Sequence, residues 1–210
     1  MTQNPVGSPI LAATSHYRSA TMKRIVLIFG FIAGAMLSLM MAVTMFFFDQ
    51  IERGYGEILG YTTMVLAFLM VYFGIRSYRD TVAGGVVTYG KGFAIGIGIT
   101  LITCVCYVAT WEVVYRRVVP DFYSKYAAMV VDQARAKGAT QAELDVKAAQ
   151  VAKQVEMYKN PFLNVALTFI EPFPVGLLFT LASAGILRRK RRISGDHAAI
   201  DAAMPSAGPS

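Results

Sequence analysis

The chain alternates long apolar runs with short polar stretches, and four of the runs are long enough to cross a bilayer. At about 1.5 Å rise per residue, roughly 20 apolar residues span a ~30 Å hydrocarbon core. The runs predict spans over about 24–48, 58–75, 93–115 and 162–187. A signal peptide has an apolar core of about 7–15 residues followed by a cleavage site of small residues. The first run is far longer and closes on Phe46-Phe47-Phe48, so it is expected to remain as an anchor.

Residues 116–161, between the third and fourth runs, keep a helical pattern of a different kind. Pro120-Asp121 opens a segment with Phe122, Tyr126, Met129, Val130 and Gln133 on one side, and Gly138 stands where a helix would stop. Thr140-Gln141-Ala142-Glu143 then fits a capping box, in which hydroxyl and carboxylate satisfy free amides at a helix start. Leu144, Ala148, Val151, Val155 and Tyr158 follow four and three apart, an apolar seam on a Lys/Gln-rich helix that Asn160-Pro161 ends. Two helices over about 121–159 are therefore expected, folded as a hairpin. The seam serves either their mutual packing on the membrane surface or the docking of a partner protein or second copy.

The fold class is thus an all-α integral membrane protein, a four-transmembrane-helix bundle with an extracytoplasmic helical hairpin between spans three and four. The membrane domain is expected over 22–192, flanked by irregular cytoplasmic tails at 1–21 and 193–210. Met22-Lys23-Arg24 resembles a natural translation start. Hydrophobic residues are 55% of the chain and charged residues 16%, against about 25% charged in a soluble domain. The net charge of +7 does not point to nucleic acid, because the basic residues gather at span ends, where anionic headgroups lie. Lys23 and Arg24 precede span one, Arg76 and Arg79 follow span two, and Arg188-Arg189-Lys190-Arg191-Arg192 close span four. The first loop instead carries Asp49, Glu52 and Glu57 against Arg53. By the positive-inside rule both termini and the second loop are expected in the cytoplasm, with Arg116 and Arg117 as the exception to the alternation.

Candidate chemistry inside the membrane is sparse. Glu112 and Glu171 interrupt otherwise apolar spans, at a cost of roughly 2.5–3.5 kcal/mol each were they at the bilayer centre. Pro172 and Pro174 lack amide hydrogens and free the carbonyls of Thr168 and Ile170, kinking the helix. Two carboxylates that meet beside freed carbonyls would form an oxygen-rich pocket suited to a proton or a hard cation; otherwise both are structural. Their spans return to one membrane face, so Glu112 and Glu171 are expected to approach each other there. Gly30 with Gly34, Gly92 with Gly96, and the seven-residue series Gly60, Ala67, Gly74 are expected to allow close helix packing. Cys104 and Cys106 point to different sides of one helix and form neither a disulfide nor a metal clip. The histidines, His16 and His197, lie in the tails, so no Ser/His/Asp set is available; no metal and no cofactor is expected.

Several of these segments occur together in a known family. They are the glycine-rich first span, Glu57 through Tyr61, Gly74 through Asp80, and Gly84-Gly85 followed by Tyr89-Gly90-Lys91-Gly92. With them come Tyr107 with Trp111-Glu112, Pro120-Asp121-Phe122, and the stretch from Glu171-Pro172-Phe173-Pro174 to Ser183-Ala184. In order and spacing, residues 22 to 192 resemble the bacterial domain-of-unknown-function 4199 family. The resemblance implies a four-span protein of the bacterial inner membrane and carries over no catalytic residue. A non-enzymatic subunit, scaffold or accessory factor is the expected role, through self-association or an unknown membrane partner. A small oligomeric ion- or proton-coupled transporter using Glu112 and Glu171 is the alternative.

Overall fold

The computed structural model describes residues 8–46 and 55–188. They form seven helices in chain order: α1 (Ser8–Phe46), α2 (Tyr55–Thr81), α3 (Tyr89–Arg117), α4 (Phe122–Ala136), α5 (Gln141–Lys159), α6 (Pro161–Ile170) and α7 (Phe173–Leu187). Four stretches are long and apolar enough to cross a membrane: Arg18–Phe46, Ile58–Thr81, Tyr89–Arg117 and Pro161–Leu187. The segment expected to be irregular before residue 22 is helical from Ser8. Pro9 sits in the first turn, where a missing amide costs nothing, and extending a formed helix needs no new nucleus. The basic run Arg189–Arg192, the acids Asp49 and Glu52, and the C-terminal tail lie outside the described residues.

Helices α2 and α3 form the central pair, with α1 packed against both on one side and α7 against both on the other. Phe68, Val71 and Ile75 of α2 meet Ile95 and Ile99 of α3 in a fully buried centre. Within lipid such contact gains little from the hydrophobic effect, so association depends on close packing and interhelical hydrogen bonds. A Cβ on Gly96 would stand 2.8 Å from Thr180 Cγ2, one on Gly30 2.8 Å from Ile102 Cβ, and one on Gly34 2.7 Å from Cys106 Cβ. Gly74 faces Ile99 and Phe29, and Gly92 faces Ala184. Ala67 is fully buried, but nothing lies within 4 Å of a Cβ on Gly60. The α2 packing face therefore begins at Met64; Gly60 is in the first turns of the helix, between exposed Leu59 and Tyr61.

Hydroxyls join the helices where small residues bring them close. Thr100 Oγ1 lies 3.1 Å from Thr180 Oγ1, Thr103 donates to the Gly30 carbonyl at 3.3 Å, and Thr110 donates to Ser38 Oγ at 2.8 Å. The α2–α3 connection turns at Gly84 and Gly85, both at positive φ, and Val87 bridges to Arg188 at the end of α7. Arg76 and Arg79 share Asp80 at that end, and Lys23, Arg24 and Arg188 are exposed.

At the opposite end α4 and α5 pack on each other, separated by Gly138 at φ +84. Thr140 accepts from the Glu143 amide at 3.4 Å, and Glu143 Oε2 accepts from the Thr140 amide at 2.7 Å. This is the reciprocal capping box read from the sequence. Leu144 and Val151 are buried and Val155 and Tyr158 half-buried, whereas Ala148 is exposed. A methyl group adds too little area to draw the helix round, so the larger seam residues set its rotation. Asn160 ends α5 and also starts α6, where its side chain accepts from the amides of Phe162 at 3.0 Å and Leu163 at 3.4 Å.

Candidate functional site

The fourth span is two helices because Pro172 cannot donate, and the ladder breaks over Glu171-Pro172. Upstream of the break, Asn164, Thr168 and Glu171 stand at i, i+4 and i+7, one face of the helix. On α3, Tyr107 and Trp111 stand at i and i+4. The two stripes meet. Trp111 Nε1 donates to Asn164 Oδ1 at 2.9 Å, Tyr123 from α4 donates its hydroxyl at 3.3 Å, and Thr168 Oγ1 donates at 3.3 Å. An indole N–H can only donate, so the atom it meets is the carboxamide oxygen. One buried side chain thus ties α3, α4 and α6 together.

Below the α4–α5 pair this junction borders a cavity of about 300 Å³. Met41 and Met45 of α1, Tyr107 and Trp111 of α3, and Thr168 and Glu171 of the fourth span line its walls. Phe122, Tyr123 and Tyr126 of α4 with Gln154, Val155 and Tyr158 of α5 form its roof. The rings pack edge to face and in stacks: Trp111 to Phe122 at 5.1 Å, Tyr115 to Tyr123 at 5.0 Å, and Tyr123 to Tyr158 at 4.9 Å between centroids. Burial pushes the phenols of Tyr123 and Tyr158 above the ordinary tyrosine range; Tyr158 raises Tyr123 further, and Glu171 raises Tyr158 further. Both therefore remain protonated donors at neutral pH. The α5 seam is engaged by this packing: Val155 and Tyr158 lie against the Trp111–Tyr123 cluster.

The two intramembrane carboxylates take different partners. Glu171, itself exposed, lines the cavity together with Tyr107. Glu112 does not line it; its Oε2 binds Arg116 one turn on, at 2.7 Å to Nη2 and 3.1 Å to Nε. It is Tyr107, not Glu112, that shares the cavity lining with Glu171. The reason is depth. Glu171 lies ten residues into its span from Pro161, about 15 Å along the axis, and Tyr107 lies about 15 Å from the Arg117 end of α3. Glu112 is only about 7 Å from that end. Arg116, unexpected on this side by charge count, serves as its counterion. Glu112 Oε1 is buried and without a hydrogen-bond partner among the described residues.

Of the proposed pocket, then, Glu171 and Thr168 share a wall, Pro172 is buried at the break, Pro174 is exposed on α7, and Glu112 stands apart. Asn164, Tyr123 and the role of Tyr107 were not read from the sequence. The available signal was the polar stripe Asn164, Thr168, Glu171 at helical spacing in an apolar run.

No curated protein and no solved structure matches the chain. The family described as "Protein of unknown function (DUF4199)" matches residues 28–189, more than half of the chain and all four candidate spans in part or whole. The chain is a member of the DUF4199 family.

Proposed function

We propose that this multi-pass membrane protein acts by binding rather than by chemistry, as a non-enzymatic accessory protein whose working part is the chamber under the α4–α5 hairpin. Both termini lie in the cytoplasm of a bacterial inner membrane, against anionic headgroups, and the hairpin lies outside. The charge of the span flanks supports this orientation. The observation that carries the binding role is the hairpin's aromatic face, which turns onto Trp111 and encloses the cavity. The chamber's polar groups are one carboxylate, phenols, an indole, a carboxamide and a hydroxyl. Such a set recognises ligands and contains no activated nucleophile with a base.

Two measurements test this reading. A cytoplasmic-type reporter after Arg192 and an exported-type reporter in the turn at Gly138 should both be active; the reverse pattern overturns the orientation. The emission of Trp111, the only tryptophan in the chain, should respond saturably to at least one small aromatic compound. Featureless partitioning of every compound overturns the binding role.

A second reading, a small ion- or proton-coupled transporter assembled as an oligomer, is favoured by the helix break at Glu171 partway along span four. It would rest on Glu171 alone, since Glu112 already holds Arg116. Ion-dependent flux in liposomes that is lost in Glu171→Gln would support it over the first.

A further inference from the structure

The chamber has a distinctive charge. Among the described residues its wall carries one acidic side chain, Glu171, and no lysine, arginine or histidine. Half of its lining residues are aromatic (Tyr107, Trp111, Phe122, Tyr123, Tyr126 and Tyr158), and aromatic ring faces are electronegative and attract cations. Met41 and Met45 add polarizable, adaptable contact. We propose that the chamber binds an organic cation, a protonated or quaternary amine carried on an apolar body. The proposal rests on the reading of the chamber as a ligand site and names the class of ligand.

Alternatives fit the wall less well. An anion would meet a carboxylate and ring faces with no basic group to receive it. A bare hard cation needs about six to eight oxygens at about 2.3–2.6 Å. One carboxylate in a space of about 300 Å³ cannot supply them. A neutral apolar body would fill the space and leave the Glu171 carboxylate on the wall without a counterion. A zwitterionic lipid headgroup would bring a phosphate into a chamber without a basic residue on its wall. An amine head against Glu171, with its substituents against Trp111, Tyr126 and Tyr158, satisfies both halves of the site. The volume is at the small end of ligand pockets, which run from about 300 to 1,000 Å³, so the cation is small.

The test uses two probes of one shape. Phenyltrimethylammonium and tert-butylbenzene differ essentially in charge. Each is titrated into the full chain in uncharged maltoside micelles, with Trp111 emission as the readout. The cation should saturate roughly tenfold more tightly than the hydrocarbon. Glu171→Gln should weaken the cation by about tenfold and Tyr126→Leu by roughly threefold or more, with tert-butylbenzene changed by less than about twofold in either. Thermal melting establishes that each variant is folded; if one is not, the other decides. Hydrocarbon binding as tight as the cation's, or cation binding indifferent to the folded variant, overturns the proposal. If tert-butylbenzene saturates and the cation does not, the ligand-binding role stands and the cationic class alone falls. If neither saturates, both fall.

Discussion

Replacing Asn164 by leucine, of similar size, should loosen the junction of α3, α4 and α6. The substitution removes one acceptor and leaves three donors: Trp111 Nε1–H at 2.9 Å, and the Tyr123 and Thr168 hydroxyls at 3.3 Å each. A buried donor left unpaired costs about 1–3 kcal/mol. Not every donor loses that much. Thr168 can turn its hydroxyl to the backbone carbonyl four residues back, as threonines in helices do. The Trp111 indole, 8% exposed, is fixed by its ring contacts and has no substitute. Interhelical hydrogen bonds in membrane proteins average about 0.6 kcal/mol and reach about 1.7, which sets a floor near 1 kcal/mol for the two that cross from α3 and α4. The expected loss is therefore roughly 1–4 kcal/mol. Equilibrium unfolding in mixed micelles, followed by Trp111 emission and far-UV circular dichroism, measures it. A loss under about 0.5 kcal/mol would mean that the convergence on Asn164 is geometric only and refute the reasoning.

Three further outcomes are expected. Gly176→Ala should destabilise the bundle by roughly 1–3 kcal/mol, because its Cβ would stand 2.5 Å from Thr100 Cγ2 and 2.6 Å from Phe68 Cε1. Gly60→Ala, with nothing within 4 Å, should be neutral or stabilise by up to about 1 kcal/mol, and the same unfolding assay distinguishes the two. Thr140→Ala should raise amide exchange in the first turn of α5 by an amount corresponding to about 0.5–2 kcal/mol. Hydrogen bonds from the Thr140 amide and hydroxyl hold Glu143 below the usual carboxylate range, so its stabilising contribution is complete above the unfolded value. That contribution is lost as pH falls through the lower folded value, and exchange at residues 140–143 should rise there. In a background without Cys104 and Cys106, cysteines at 107 and 171 should crosslink with a short reagent and cysteines at 112 and 171 should not; the opposite result would restore the pairing of Glu112 with Glu171.

Long-range order in this chain was legible where one physical cause dominates. Bilayer thickness selects the apolar runs, so the four spans could be read directly. The α4–α5 boundary could be read too, because Gly138 and the Thr140–Glu143 box act within one turn. The broken fourth span followed from Pro172 and its missing amide. Legibility ended where side chains from different spans had to be matched in depth. Glu112 and Glu171 both lie toward one end of the bundle, but a difference of five residues of rise, roughly 7 Å, gives each a different partner. Trp111 in an apolar run resembles an interfacial belt residue, and only the α4–α5 pair folded over it makes it a cavity wall. The polar stripe of Asn164, Thr168 and Glu171 marks a face of the helix, but the use of Asn164 depends on Trp111, more than fifty residues earlier in the chain.

The most direct test of the account is the environment of Trp111 in the reconstituted protein. If the α4–α5 pair roofs the chamber, the indole should emit as a shielded, hydrogen-bonded chromophore and resist quenching by aqueous acrylamide. Replacing Tyr123 and Tyr158 together by alanine should open the roof, move the emission to longer wavelength and raise the quenching several-fold. Wild-type emission already typical of solvated indole, or quenching indifferent to the double substitution, would contradict the roofed chamber and with it the proposed function.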